Sequence, residues 1–110
     1  MMKTTQQDFL RRLHDCISAC QHCSEQCLHE ENIGMMVKCI QLDRDCADIC
    51  TLTANLVARN SSFAQHMARQ CAEICQQCAS ECGRHEHEHC QECAQACQLC
   101  QEACVSYANT

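Results

Sequence analysis

Cysteine recurs along this chain at steps of three and four residues, and that spacing leaves few folds open. The positions fall into four groups: Cys16, Cys20, Cys23 and Cys27; Cys39, Cys46 and Cys50; Cys71, Cys75, Cys78 and Cys82; and Cys90, Cys93, Cys97, Cys100 and Cys104. The gap between Cys39 and Cys46 is one step of three and one of four. Such a rhythm marks one stripe of a helix, the inward seam of a helix packed in a bundle. The groups also form a loose internal repeat, one per helix. Absence of proline, with only two glycines, two phenylalanines and one tyrosine, weighs against a β-rich fold and suits long helices.

Breakers divide the 110 residues into four similar lengths, enough for one domain. Thr5 with Asp8 reads as a capping pair that opens a helix over about residues 5–31, and Asn32-Ile33-Gly34 as a short turn. A second helix is expected over about 35–59, broken by Asn60-Ser61-Ser62. Ser62 and Gln65 read as a capping box for a third over about 62–83. The segment 84–88 then links to a fourth over about 88–107. Short connections force antiparallel neighbours, so the expected fold is all-α, an up-down-up-down four-helix bundle with a cysteine-lined core.

Sixteen cysteines need a reason. A free cysteine can serve as a small buried hydrophobe, but leucine would pack these seams better. Disulfides between residues one helical turn apart fit the bond's geometry poorly and close loops too small to stabilise much. No apolar h-region or small-residue cleavage site is visible in MMKTTQQDFLRRLHD, so the expected setting is reducing cytosol with free thiols. No apolar run approaches the roughly 20 residues of a membrane span. A net charge of -6 disfavours nucleic acid and anionic membranes as partners.

Soft metal remains. Seven Cys-x-x-x-Cys pairs (16/20, 23/27, 46/50, 71/75, 78/82, 93/97 and 100/104) put two sulfurs on one helix face. A two-sulfur clasp suits Cu(I), whereas zinc takes four ligands, which pairs on two helices can still supply. Charge separates the two. Four Zn(II) in a core of sixteen thiolates would leave about eight buried negative charges. Cu(I) at about one ion per bridging thiolate brings the core near neutrality. One iron–sulfur cluster would use four cysteines and leave the rest without a role. A thiol-redox enzyme would need one exposed, low-pKa cysteine in an electropositive setting, and this chain offers many equivalent ones in an acidic setting.

The stretch CAEICQQCASECGRHEHEHCQECAQACQLCQEAC, from Cys71 to Cys104, resembles the bacterial copper storage proteins, and their cytosolic branch in particular. The first two helices follow the same logic, so the resemblance spans nearly the whole chain. It implies a four-helix bundle, commonly tetrameric, that holds many Cu(I) ions on thiolates inside each bundle. Copper donor or acceptor proteins are possible partners.

Other residues are candidates beside the sixteen thiols. Asp43 takes the second place of a Cys-x-x-x-Cys pair begun by Cys39, either as a harder ligand or as a solvated residue near a frayed end. Phe9, Leu13, Leu56, Val57, Phe63, Met67 and Tyr107 gather at one end as an apolar plug. Met35, Met36, His85, His87 and His89 gather at the other, which reads as the mouth. His85 continues the seam of Cys75, Cys78 and Cys82 and ranks first among non-thiol ligands. Met36, three residues before Cys39, comes next, and His87 and His89 follow in or beside a polar turn. His22 and His29 are expected in solvent, His14 and His66 in structural positions. Apolar residues off the seam, including Val37, Ile40, Ile49, Ile74 and Leu99, suggest a face covered in a homo-oligomer.

Overall fold

Each thiol seam lies on its own helix. A computed structural model describes residues 2–110 and contains α1 (Thr4–Cys27), a short 3-10 turn (Ile33–Met36), α2 (Val37–Ala58), α3 (Ala64–Gly83) and α4 (Glu88–Ala108). Every helix packs against its two neighbours, α1 on α2 and α4, and α3 on α2 and α4. Sulfur contacts fix the antiparallel directions: Cys16 meets Cys97 while Cys23 meets Cys90, and Cys50 meets Cys71 while Cys39 meets Cys82. The result is a rod of 47 × 19 × 18 Å.

The helix ends depart from their expected devices. Thr5 lies inside the first turn, and the N-cap of α1 is Lys3, with no side-chain cap bond. A capping side chain must sit on the extended residue outside the helix, and Lys3 is that residue here (φ -69, ψ 152). Ser62 does not cap α3 either, because Phe63 is the N-cap and makes no side-chain cap bond. Ser61 Oγ instead accepts from the Phe63 N–H, and Gln65 donates to the Thr110 carbonyl at 2.9 Å. The break after α2 falls where expected. Asn60 adopts φ 56, its N–H bonds the Val57 carbonyl, and the Ser61 N–H bonds that of Leu56, a Schellman closure.

α1 stops at Cys27, four residues short of the expected end. Continuing the seam past Cys27 would turn Glu30 or Glu31 inward, and a carboxylate facing a thiol core carries a heavy desolvation cost. The chain unwinds there instead, freeing Glu30 to reach across to the opposite connection.

The far end is a dry plug. Leu13 and Val57 are fully buried, and Phe9 stacks at a tilt on Tyr107 with centroids 4.8 Å apart. Gln6 closes it by donating to the Val57 carbonyl at 2.7 Å and to Asn60 Oδ1 at 3.0 Å. Phe63 is not part of the plug, since as the N-cap of α3 it projects outward and is 66% exposed. His14 and His66, expected in structural positions, are exposed as well.

Candidate metal centre

All sixteen cysteines are free thiols with no exposed surface. They stack as one column along the bundle axis, beginning beside the plug. Cys50 and Cys71 approach to 3.5 Å, and together with Cys75 and Cys100 they form a four-sulfur group. Further groups follow: Cys16, Cys46, Cys50 and Cys75; then Cys16, Cys20, Cys46 and Cys97; then Cys20, Cys78, Cys93 and Cys97. Within each, the sulfurs lie within 4.8 Å of one another. Cys104 is one turn beyond Cys100 toward the plug and is also fully buried.

Successive groups share members. Cys16, Cys20, Cys46, Cys50, Cys75 and Cys97 each belong to at least two. With a metal–sulfur bond of about 2.3 Å, sulfurs around one ion sit roughly 4 Å apart, so the separations suit soft metal generally. Sharing is the more discriminating feature. Isolated tetrahedral zinc sites own their four ligands, whereas shared sulfurs are placed to bridge successive ions. Bridging lets a univalent ion approach one per thiolate, the ratio that neutralises the core.

Asp43 interrupts the column near its middle. It is fully buried, which rules out the solvated alternative. Its Oδ1 accepts from the thiols of Cys82 at 3.1 Å, Cys78 at 3.2 Å and Cys93 at 3.3 Å, while Oδ2 faces Cys39 at 3.8 Å. Burial, which penalises the charged form, pushes its carboxyl up to about 8. The acid is therefore held largely neutral near pH 7 by its surroundings.

Beyond Asp43 comes the group nearest the mouth, Cys23, Cys27, Cys39 and Cys90. Burial raises the thiols of Cys27, to about 11, and Cys90. His89 Nδ1 faces this group, 3.5 Å from Cys90, 3.6 Å from Cys23 and 3.8 Å from Cys27. Met36 sits in the core at the same end, 2% exposed, while Met35 is 66% exposed. A groove of about 660 Å³ opens there between the two connections, lined by Glu30, Met36, His85 and His87 among others.

The histidines sort differently from their seam register. His85 comes after the end of α3 at Gly83, and its Nε2–H donates to Glu81 Oε2 at 2.8 Å rather than facing a thiol. His87 pairs with Glu30 at 3.0 Å. His89, one residue before Cys90, is the imidazole that meets sulfur. Two carboxylates escaped the sequence reading. Glu81, buried at 6% exposure, stands one turn before His85, a spacing that could have exposed it. Glu30 reaches its histidines across two connections, which no local pattern announces.

Among the described residues, no helix is long and apolar enough to cross a membrane. A family model described as copper storage protein matches residues 2–109. An uncharacterized cysteine-rich protein of Bacillus subtilis, YhjQ, is 47% identical over 94 residues, which cover 86% of this chain and 87% of that one. The solved Cu(I)-bound copper storage protein BsCsp3 superposes with a TM-score of 0.92 at 42% identity, over 96% of this chain and 99% of that one. A cytosolic copper storage protein from Streptomyces lividans, solved with five coppers, gives 0.93 at 35% identity, over 96% and 93%. Sequence, fold and thiol column agree, and this chain belongs to the copper storage protein family.

Proposed function

We propose that this protein stores and buffers Cu(I), many ions per chain, on thiolates inside the bundle. The observation that carries the reading is the column of sixteen buried thiols in overlapping four-sulfur groups. No chemical step is needed. Each ion displaces thiol protons and becomes bridged to the next, so charge is neutralised as the column fills. All sixteen cysteines act as ligands in this reading, with Asp43 and His89 as the oxygen and nitrogen donors that touch them. Met36 and His85 serve at the mouth, where thioether and imidazole receive copper before it reaches the thiols. Copper arrives through that end because Leu13 and Val57 close the other.

The setting that suits this chemistry is the cytoplasm, where thiols stay reduced, and the Streptomyces lividans relative is itself a cytosolic protein. A homo-oligomer, a tetramer by family resemblance, accounts for apolar residues left on the outside, among them Leu52, Val37 and Val105 at 43%, 46% and 46% exposure. Exchange with copper donor or acceptor proteins would then occur at the mouth.

Anaerobic titration of the reduced protein with Cu(I), against a Cu(I)-specific chelator, tests the reading. Roughly ten or more tightly held ions per chain are expected from shared thiolates. Saturation at about four or fewer would refute storage and return the site to zinc or an iron–sulfur centre.

A further inference from the structure

Glu81 is a carboxylate where packing alone asks for none. It stands on α3, one residue before the seam thiol Cys82, and is only 6% exposed. A buried carboxylate is costly unless its oxygens are paired, and here both are. Oε1 accepts from Arg84 Nη1 at 3.1 Å and Oε2 from His85 Nε2 at 2.8 Å. The two donors differ in freedom, for the Arg84 side chain is 71% exposed and that of His85 13%. An anchor for the ring is needed because α3 ends at Gly83, so no helix orients His85. The backbone there is held separately from α4. Gln91 Nε2 donates to the Gly83 carbonyl at 3.1 Å and to the His85 carbonyl at 2.6 Å.

A carboxylate only accepts, so the hydrogen of a neutral His85 sits on Nε2 and the lone pair on Nδ1. His85 lines the mouth groove together with Met36. We propose that Glu81 is a positioning residue of the mouth: it ties up Nε2 of His85 and leaves Nδ1 as the nitrogen that receives incoming copper. This rests on the storage reading, in which His85 serves at the mouth. A carboxylate behind a metal-binding histidine fixes the tautomer and the ring's orientation, and its loss costs about 10–100-fold in many sites. The competing reading is a structural one, in which Glu81 merely ties the end of α3 to the connection. Such a role would matter equally whether or not residue 85 carries an imidazole that meets copper.

Nitrogen–proton NMR on reduced, metal-free protein labelled at histidine, at about pH 8 where imidazoles are neutral, reads the anchor directly. Wild type should show His85 as Nε2–H, with that hydrogen protected from exchange. Glu81→Ala should lose the protection, and so should Glu81→Leu, which refills the space without an acceptor. Glu81→Gln should keep it, its amide oxygen turned to His85 while exposed Arg84 swings to solvent. An Nδ1–H tautomer in wild type, or full protection in Glu81→Ala and Glu81→Leu, overturns the proposal. In a second measurement, Cu(I) supplied from a weak chromophoric chelator should enter Glu81→Ala and Glu81→Leu about tenfold more slowly, with most of the rate recovered in Glu81→Gln. His85→Ala should be as slow, and adding Glu81→Leu to it should slow uptake no further. A further loss in that double variant makes Glu81 structural and overturns the proposal, as does an unaltered rate in the single Glu81 variants. An unaltered rate in His85→Ala overturns the mouth role of His85 and the proposal with it. Low capacity in wild type overturns the storage reading instead, and the protected Nε2–H would survive that result.

Discussion

Asp43 sets the apo protein a pH-dependent penalty large enough to measure. The carboxyl has no exposed surface, and burial lifts it from 3.8 to about 8. Between those values the folded chain binds a proton that the unfolded chain releases, so stability must fall as pH rises. The contribution is complete below about pH 4 and is lost progressively up to about pH 8. Integrating the linkage between pH 5 and pH 8 gives a loss of about 3 to 4 kcal/mol. Asp43→Asn keeps the shape and an oxygen to accept from Cys78, Cys82 and Cys93, but it cannot ionise. Thiol titration in the unfolded chain acts on both proteins alike and cancels in their difference. Urea unfolding of reduced apo protein, followed anaerobically by circular dichroism, is the assay. The Asp43→Asn variant is not expected to be immune to pH, only to gain on wild type as it rises. With a slope near 1.5 kcal/mol/M, the gap between midpoints should widen by roughly 2 M from pH 5 to pH 8. Midpoints that move in parallel would mean that Asp43 ionises at an ordinary pKa, and that burial does not control its charge.

Other perturbations separate plug from column. Leu13→Ala removes a fully buried side chain and should destabilise the apo bundle by about 2–4 kcal/mol in the same urea assay, with copper capacity unchanged. Cys46 belongs to two sulfur groups, so Cys46→Ser should lower the saturated load by about two ions in native mass spectrometry. An unchanged load would argue against shared sulfurs. Chelator-stripped protein should keep its full helical circular dichroism, because protonated thiols pack as small hydrophobes. Collapse of that signal on stripping would mean that metal is needed for folding.

The number of helices and the inward face of each were legible because a fully buried thiol seam repeats at helical spacing with hardly a gap. The ends were not, and for a common reason. Thr5 and Ser62 have capping chemistry, but which residue becomes the cap depends on where packing lets the helix begin, and Lys3 and Phe63 took those places. Seam register ranked His85 above His89. Register extrapolates a helix, however, and α3 had already ended at Gly83, leaving His85 to Glu81. His89 precedes the first thiol of α4, and its approach to Cys23 and Cys27 comes from packing on α1. Asp43 was legible in position, while its burial was not, because a carboxylate on a seam reads equally as ligand or as frayed end.

The apolar plug also gives the store a memory. In a rod 47 Å long and 19 Å wide, shut at one end, cargo taken up through the mouth would fill the column in order. Ions settled beside Cys71 and Cys100 would leave only after those nearer Cys27 and Cys90. Such a reservoir behaves as a stack, last in and first out, so its newest copper turns over quickly while its oldest is shielded by everything added since.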